Sequence, residues 1–168
     1  QRTDLTAAAS KLDVDRQTWG EDESYLIMAS WLEAYGGRYD AATQKAQRAA
    51  EIAPDDVNVA LLLAQTALLD GDDERFGVEI ARAQALAPDR DTVWHWTGFY
   101  RLLTGGDAGQ GAKAAFEKAA ELNPEASNAY VNIAGLVAME GRFNEALALY
   151  DKALAIAPAN SLAHAGKA

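Results

Sequence analysis

Apolar side chains recur at three- and four-residue spacing along the last third of the chain, which is the spacing of an amphipathic α-helix. One stripe consists of Tyr130, Ile133, Ala134 and Val137. A second stripe, beyond Gly141, consists of Ala146, Leu149, Tyr150 and Ala153. The alternating apolar and polar pattern of β-strands, with β-branched residues, is absent. The pattern therefore predicts an all-α protein.

Glycine and proline divide the chain at regular intervals. The prolines Pro54, Pro88, Pro124 and Pro158 are separated by 34, 36 and 34 residues. The glycines Gly37, Gly71, Gly105 and Gly141 are separated by 34, 34 and 36 residues. Glycine after a helix takes the left-handed conformation that lets the chain reverse, and proline just beyond a helix cannot extend it. The two spacings together predict four repeats, each of two helices joined at a glycine turn.

The predicted boundaries follow from these spacings. The repeats span about 22–55, 56–89, 90–125 and 126–159, within 22–158. Residues 1–21 are predicted to contain a short helix over 3–12, with Leu5, Ala8, Ala9 and Leu12 on one face, followed by a polar connection. Residues 160–168 begin a capping or further helix. Small residues at the crossing of paired helices let their axes approach; these are Ala42, Ala49, Ala83, Ala112, Ala119, Ala146 and Ala153.

The segment GGDAGQGAKA, residues 105–114, has the glycine spacing of a nucleotide-binding loop. Both nucleotide-binding motifs that it resembles need a preceding strand, and the Walker loop also needs Gly-Lys followed by Ser or Thr. Here a helical pattern precedes the glycines, and Lys113 follows Ala112 with no hydroxyl after it. The third repeat also has its two extra residues here. We therefore interpret the segment as an enlarged, mobile turn between the helices of that repeat.

Composition excludes several function classes. The 168 residues are 49% hydrophobic and 24% charged, as in an ordinary globular protein. The net charge of −10 disfavours nucleic acid and anionic membranes, and no run of about 18 apolar residues predicts membrane insertion. No signal peptide is evident. The absence of cysteine excludes disulfides and thiolate sites but leaves cytoplasm and periplasm both open.

Candidate catalytic chemistry is sparse. The two histidines, His95 and His164, lie in different segments without an acidic neighbour at metal-ligand spacing, and we interpret His95 as a partly buried ring among aromatic residues. The acidic segment 70–74 lacks the twelve-position calcium pattern, and its aspartates are expected to cap the next helix. We expect no catalytic residues, no metal and no cofactor.

The repeat residues resemble those of the tetratricopeptide repeat family. The third repeat carries Trp94, Gly98, Ala112, Phe116, Ala119 and Pro124 at the family's positions, and the fourth carries Tyr130, Ala146, Tyr150, Ala153 and Pro158. The second departs, with Ala60 for the aromatic residue and Phe76 for alanine. The resemblance implies an all-α, right-handed α-solenoid of stacked helix-turn-helix repeats, whose first helices line a concave groove.

The resemblance also implies where a partner binds. The groove positions are Ile27, Trp31, Tyr35, Leu61, Gln65, His95, Trp96, Phe99, Asn128 and Asn132. This surface suits a peptide or amphipathic helix of another protein, with aromatic anchors. Some family members grip a carboxylate with Lys and Arg, but the equivalent positions here hold no cation. The alternatives are self-assembly through the ends of the solenoid or its groove, and aromatic residues that are simply core.

Overall fold

The computed structural model describes residues 22–105 and 109–168, and these contain nine helices and no strand. The N-terminal unit, within Gln1–Leu86, contains α1 (Glu23–Tyr35), α2 (Tyr39–Ile52), α3 (Val57–Asp70) and α4 (Asp73–Leu86). The C-terminal unit, Ala87–Ala168, contains α5 (Asp91–Thr104), α6 (Gln110–Leu122), α7 (Ser127–Met139), α8 (Phe143–Ile156) and α9 (Ser161–Lys167). The all-α prediction is confirmed. The predicted helix over residues 3–12 lies outside the described residues.

Acidic and amide side chains set the starts of several helices. Asp56 Oδ1 accepts hydrogen bonds from the backbone N–H groups of Asn58 and Val59 at the start of α3. Asp72 Oδ1 accepts from Arg75 N at 2.9 Å, as the capping interpretation of the acidic segment predicted. Asn160 caps α9 in the same way. These bonds satisfy N–H groups that the first turn of a helix leaves without partners.

The turn of the third repeat differs from the other three. Gly37, Gly71 and Gly141 have φ between 72° and 80°, the left-handed conformation that was predicted. Gly105 instead has φ −77° and ψ 127°, so the same prediction is wrong there. Five residues separate α5 from α6, and Gly109 carries the positive φ of 87°. Because the link between α5 and α6 is longer, the left-handed residue that lets the chain reverse is the one directly before α6. The turn that was predicted to be mobile includes residues 106–108, which lie outside the described ranges.

The N-terminal unit packs around small residues. Its core joins α1, α2 and α3 in one cluster of Leu26, Ala46, Ala49, Val59, Leu62 and Leu63. The predicted crossing alanines Ala42, Ala49 and Ala83 are fully buried. The buried Ser30 hydroxyl of α1 donates to the Ala42 carbonyl oxygen of α2 at 2.8 Å, which requires the two helices to lie close together. In the second repeat the small Ala60 of the first helix and the large Phe76 of the second helix are both fully buried.

The C-terminal unit has a core of its own. Its cluster joins α6, α7, α8 and α9, and the crossing alanines Ala112, Ala119, Ala146 and Ala153 are all buried. Gly98 of α5 faces Phe116 of α6 so closely that a Cβ atom built on Gly98 would lie 2.4 Å from the ring. This position therefore needs a residue without a side chain. No helix among the described residues is long and apolar enough to cross a membrane.

We expect Gly98→Ala to lower the free energy of unfolding, although alanine is the better helix former. The added methyl group overlaps the buried Phe116 ring, and relieving such an overlap typically costs about 1–3 kcal/mol. The measurement is the urea midpoint of the variant against that of the unsubstituted protein.

Gly135→Ala is the matched control, because Gly135 also lies within a helix and its added Cβ would lie 3.9 Å from the Tyr150 hydroxyl oxygen. This variant should gain the intrinsic helix preference of alanine over glycine, about 1 kcal/mol. A Gly98→Ala protein as stable as Gly135→Ala would contradict the close packing of α5 on Phe116.

Candidate functional site

The first helix of the N-terminal unit leaves an apolar strip in solvent. Asp22 accepts a hydrogen bond from Tyr25 N at 2.7 Å and so fixes where α1 begins. Met28, Trp31 and Tyr35 then fall on one face, and all three are exposed. The rings of Trp31 and Tyr35 stack with centroids 6.0 Å apart. The predicted groove residues Trp31 and Tyr35 thus share a preorganised aromatic surface.

The predicted groove residues of α3 are less accessible. Leu61 is only 5% exposed and Gln65 is half-buried. Ile27 of α1 is half-buried against the N-terminal core. Helix α3 has α2 and α4 as neighbours, and both cover part of its surface. Leu61 therefore contributes almost no surface that a partner could reach.

An aromatic cluster occupies the middle of α5. His95, Trp96 and Phe99 lie together, with ring centroids between 5.1 and 6.2 Å apart. Phe116 of α6 lies beneath them, 5.7 Å from His95 and 5.6 Å from Phe99. Most of these pairs meet edge to face, which is a favourable arrangement of aromatic rings. The three predicted residues of α5 are therefore brought together and are half-buried.

The surroundings of His95 disfavour the charged form of its ring. Burial lowers the pKa of His95 below its ordinary value of 6.5, while the nearby Asp91 carboxylate opposes that change. The contacts of the ring are with other aromatic rings, so the interpretation of His95 as a partly buried ring among aromatic residues is confirmed.

An open cleft of about 320 Å³ lies beside this cluster. It is bounded by the start of α5, the end of α6 and the start of α7; its lining includes Asp91, Thr92, His95, Asn123, Glu125, Ser127 and Asn128. Asn123 Nδ2 donates to Asp91 Oδ2 at 2.7 Å and holds one wall in place. The sequence analysis found His95 and Asn128 but missed the other polar residues, which come from three separate helix ends.

The two predicted asparagines of α7 have different surroundings. Asn128 is exposed, and its Oδ1 accepts from Asn160 Nδ2 at 2.9 Å. Asn132 is half-buried, and its Nδ2 atom is buried without a hydrogen-bond acceptor. The Asn128 side chain is therefore held by the hydrogen bond from Asn160, the residue before α9. The amide nitrogen of Asn132 points into the protein interior.

One set of exposed apolar residues follows the repeat spacing through all four first helices. The residues, at intervals of 34, 34 and 36, are Tyr35, Leu69, Leu103 and Met139, and they are 69%, 42%, 56% and 83% exposed. We call them the apolar row. The sequence analysis proposed Tyr35 for the groove but not Leu69, although the common spacing was present in the sequence.

The other polar residues singled out by sequence have structural partners. Asp70 Oδ2 accepts from Thr43 at 3.2 Å and lies 3.9 Å from Arg75 Nη1. His164 Nε2 lies 2.9 Å from the Pro158 carbonyl oxygen, and Trp94 Nε1 donates in the same way to Pro88 at 2.7 Å. In the described ranges, no group of three or more His, Asp or Glu side chains is placed to hold a metal ion.

Comparison with known proteins agrees with this architecture. A family model described as tetratricopeptide repeat matches residues 106–168. No curated protein matches the chain significantly in sequence.

Solved structures resemble the chain over most of its length. TTC0263, a thermophilic TPR protein of Thermus thermophilus, has a TM-score of 0.83 at 20% identity over 96% of this chain and 87% of its own. YrrB, described as a TPR protein with an unusual peptide-binding site, has a TM-score of 0.62 at 20% identity over 99% and 85%. MamA has a TM-score of 0.65 at 17% identity over 92% and 90%.

At these identities the structures show the fold, and the family model supplies the sequence relationship. The helix pairs, buried crossing alanines and turn glycines fit the same assignment. Residues 106–168 match the tetratricopeptide repeat family, and the described residues have the all-α fold of the TPR structures that the chain resembles.

Proposed function

We propose that the chain is a non-enzymatic protein-interaction module whose first helices bind a peptide or an amphipathic helix of another protein. The apolar row carries this proposal, because a large apolar side chain stays exposed at the same position of all four repeats. The fold does not require an exposed residue to be apolar. A surface that contacts a partner does require apolar residues.

The aromatic residues provide the anchors of this surface. The stacked Trp31 and Tyr35 on α1 offer a broad apolar area with little side-chain freedom left to lose. Tryptophan and tyrosine are the residues that most often dominate binding energy at protein interfaces. In the C-terminal unit, Phe99 packs on Phe116 and Trp96 packs on Phe99, and together Trp96 and Phe99 offer a second aromatic area.

Polar groups beside these anchors suit a peptide backbone. Gln65 of α3 and Asn128 of α7 each carry both a donor and an acceptor, which can pair with backbone carbonyl and N–H groups. The peptide-binding site named for YrrB supports the same class of ligand, although that similarity extends only to the fold. The charge of −10 favours partners that are not strongly acidic.

The alternative is self-assembly, in which the exposed apolar surface meets another copy of the chain. The C-terminal helix α9 leaves Leu162 exposed, which provides a surface for such a contact. Sedimentation velocity over a wide concentration range separates the alternatives, since a protein that stays monomeric throughout excludes self-assembly.

Trp31→Ala and Leu103→Ala should weaken partner binding in the N-terminal and C-terminal units respectively. Loss of an aromatic anchor such as the Trp31 ring typically costs about 2 kcal/mol or more, or on the order of 30-fold in affinity, and loss of the smaller Leu103 side chain should cost less. Peptides selected from a displayed random library, titrated by fluorescence anisotropy, provide the measurement.

Val78→Ala is the matched control, because Val78 is equally apolar and exposed but lies on α4, a second helix. Circular dichroism should show an unchanged helix signal for all three variants. Unchanged affinity for both Trp31→Ala and Leu103→Ala, or an equal loss for Val78→Ala, would count against the first helices as the binding surface.

The buried His95 ring makes stability depend on pH. Its pKa in the folded protein is lowered below 6.5, so the unfolded chain binds a proton more readily than the folded chain. Above pH 6.5, His95 does not make the stability depend on pH. As the pH decreases through 6.5, the free energy of unfolding falls. The loss levels off once the folded protein is also protonated.

His95→Gln removes the titrating group. Urea unfolding of both proteins from about pH 7.5 to about pH 5 should show that the difference in stability between them changes below the ordinary histidine pKa, with the unsubstituted protein losing more. A pH-independent difference would contradict the lowered pKa of His95.

A further inference from the structure

Two carboxylates line the open cleft of the C-terminal unit. Asp91 lies in the first turn of α5 and is half-buried. Glu125 lies in the link between α6 and α7 and is exposed. The described residues that line the cleft include both of these side chains and no lysine or arginine. The wall of the cleft therefore carries negative charge that no basic side chain of the wall offsets.

The histidine of the cleft does not supply the missing positive charge. Burial lowers the pKa of His95 below 6.5, so its ring is mostly neutral at pH 7 and above. The Asp91 carboxylate acts on this ring in the opposite direction and favours its protonation. The negative charge of Asp91 is thus felt at the His95 wall of the cleft.

The carboxylates are held in place and keep free acceptor capacity. Asn123 Nδ2 donates to Asp91 Oδ2 at 2.7 Å, and Asn123 Oδ1 accepts from Glu125 N at 3.0 Å. One side chain therefore positions both acidic residues. A carboxylate can accept about four hydrogen bonds, and the bond from Asn123 uses one of those on Asp91.

The helix ends around the cleft do not offer a site for an anion. The start of a helix attracts anions through N–H groups that have no partner. Here the N–H groups of Ala126, Ser127 and Ala129, at the start of α7, donate to backbone carbonyl oxygens, and Val93 N of α5 donates to the Arg90 carbonyl oxygen. The end of α6 adds the partial negative charge of a helix C-terminus. The cleft therefore favours a positively charged group.

We propose that this cleft binds the ammonium or guanidinium group of a lysine or arginine side chain from the partner. The inference rests on the proposed binding function, because it assigns one residue of the bound segment. A volume of about 320 Å³ is at the small end of ligand pockets, which suits one long side chain better than a whole small molecule. Ala119 and the His95 ring contact the methylene groups of that side chain, while Asp91 and Glu125 accept its N–H groups.

The position of the cleft also indicates what accompanies the basic residue. His95 lines the cleft and packs on Phe99, with ring centroids 5.1 Å apart. A segment that places a lysine or arginine in the cleft therefore passes close to the aromatic cluster of α5. The expected sequence feature of the partner is a basic residue near an apolar one.

Blocked amino acids test the cleft without a peptide. The probes are N-acetyl-lysine methylamide, N-acetyl-arginine methylamide and the uncharged N-acetyl-norleucine methylamide, followed by the backbone amide signals of the isotope-labelled protein in NMR spectra. We expect the cationic probes to shift the amides of Thr92, Asn123 and Ser127 and to bind about fivefold more tightly than norleucine. Equal binding of norleucine, tighter binding of inorganic phosphate, or no shift of these amides would overturn the proposal.

Removing the two charges tests which residues hold the probe. The variant Asp91→Asn with Glu125→Gln keeps the side-chain sizes and should lose about fivefold in affinity for the cationic probes, while norleucine binding stays the same. The matched control is Asp151→Asn with Glu117→Gln, which makes the same exchanges at exposed residues outside the cleft. Equal losses in the two variants would assign the affinity to the overall charge of the protein and contradict the cleft.

Glu125→Gln alone keeps the test valid if the double variant loses its helix signal in circular dichroism. Its side chain is exposed, so the fold does not depend on it, and a weaker affinity for the cationic probes is still expected. Unchanged affinity in this single variant would count against the role of Glu125 in the cleft.

A displayed random peptide library separates this inference from the binding function itself. Peptides selected on the unsubstituted protein should carry Lys or Arg at one position more often than peptides selected on the variant Asp91→Asn with Glu125→Gln. Peptides that bind without this preference would refute the inference and leave the binding function standing. If no peptide is selected although the cationic probes occupy the cleft, the binding function is contradicted, and so is the assignment of the cation to a partner.

Discussion

Close contact between paired helices depends on small side chains in the second helix of each pair. Ala42, Ala112 and Ala146 are buried where their helices meet the first helix of the same repeat. The hydrogen bond from the Ser30 hydroxyl to the Ala42 carbonyl oxygen shows how near the backbones come. A larger residue at such a point separates the helices unless another residue shrinks. In the second repeat the sizes are reversed, with a buried Phe76 in the second helix and a buried Ala60 in the first.

This packing determines which surfaces remain for a partner. Once a first helix buries one face against its own pair and another against the preceding second helix, the residues between them stay in solvent. Leu69 of α3 and Met139 of α7 are apolar and exposed, so they do not contribute to the core. The positions that stabilise the fold and the positions that stay exposed are therefore different positions of the same helices.

The third repeat departs most from the others, and its departures are related. Phe116 takes the space that Gly98 leaves open, His95 and Phe99 pack on the Phe116 ring, and Trp96 packs on those two residues. The same aromatic surroundings exclude water from His95 and favour its neutral form. The longer turn before α6 moves the left-handed residue from the position of Gly105 to Gly109. Aromatic packing and an extended turn thus give this repeat its own surface within a regular fold.

The sequence by itself determined the helical class, the repeat spacing, the buried alanines and the place of the enlarged turn. These features follow from helical periodicity and from the backbone limits of glycine and proline, which are local. Tertiary structure decided that Leu62 is buried while Met28, at the same repeat position, is exposed, that Gly105 is extended, and that Asp91, Asn123 and Ser127 share a cleft. Burial depends on neighbouring helices that come from distant parts of the chain. The same repeat position can therefore be core in one helix and surface in the next.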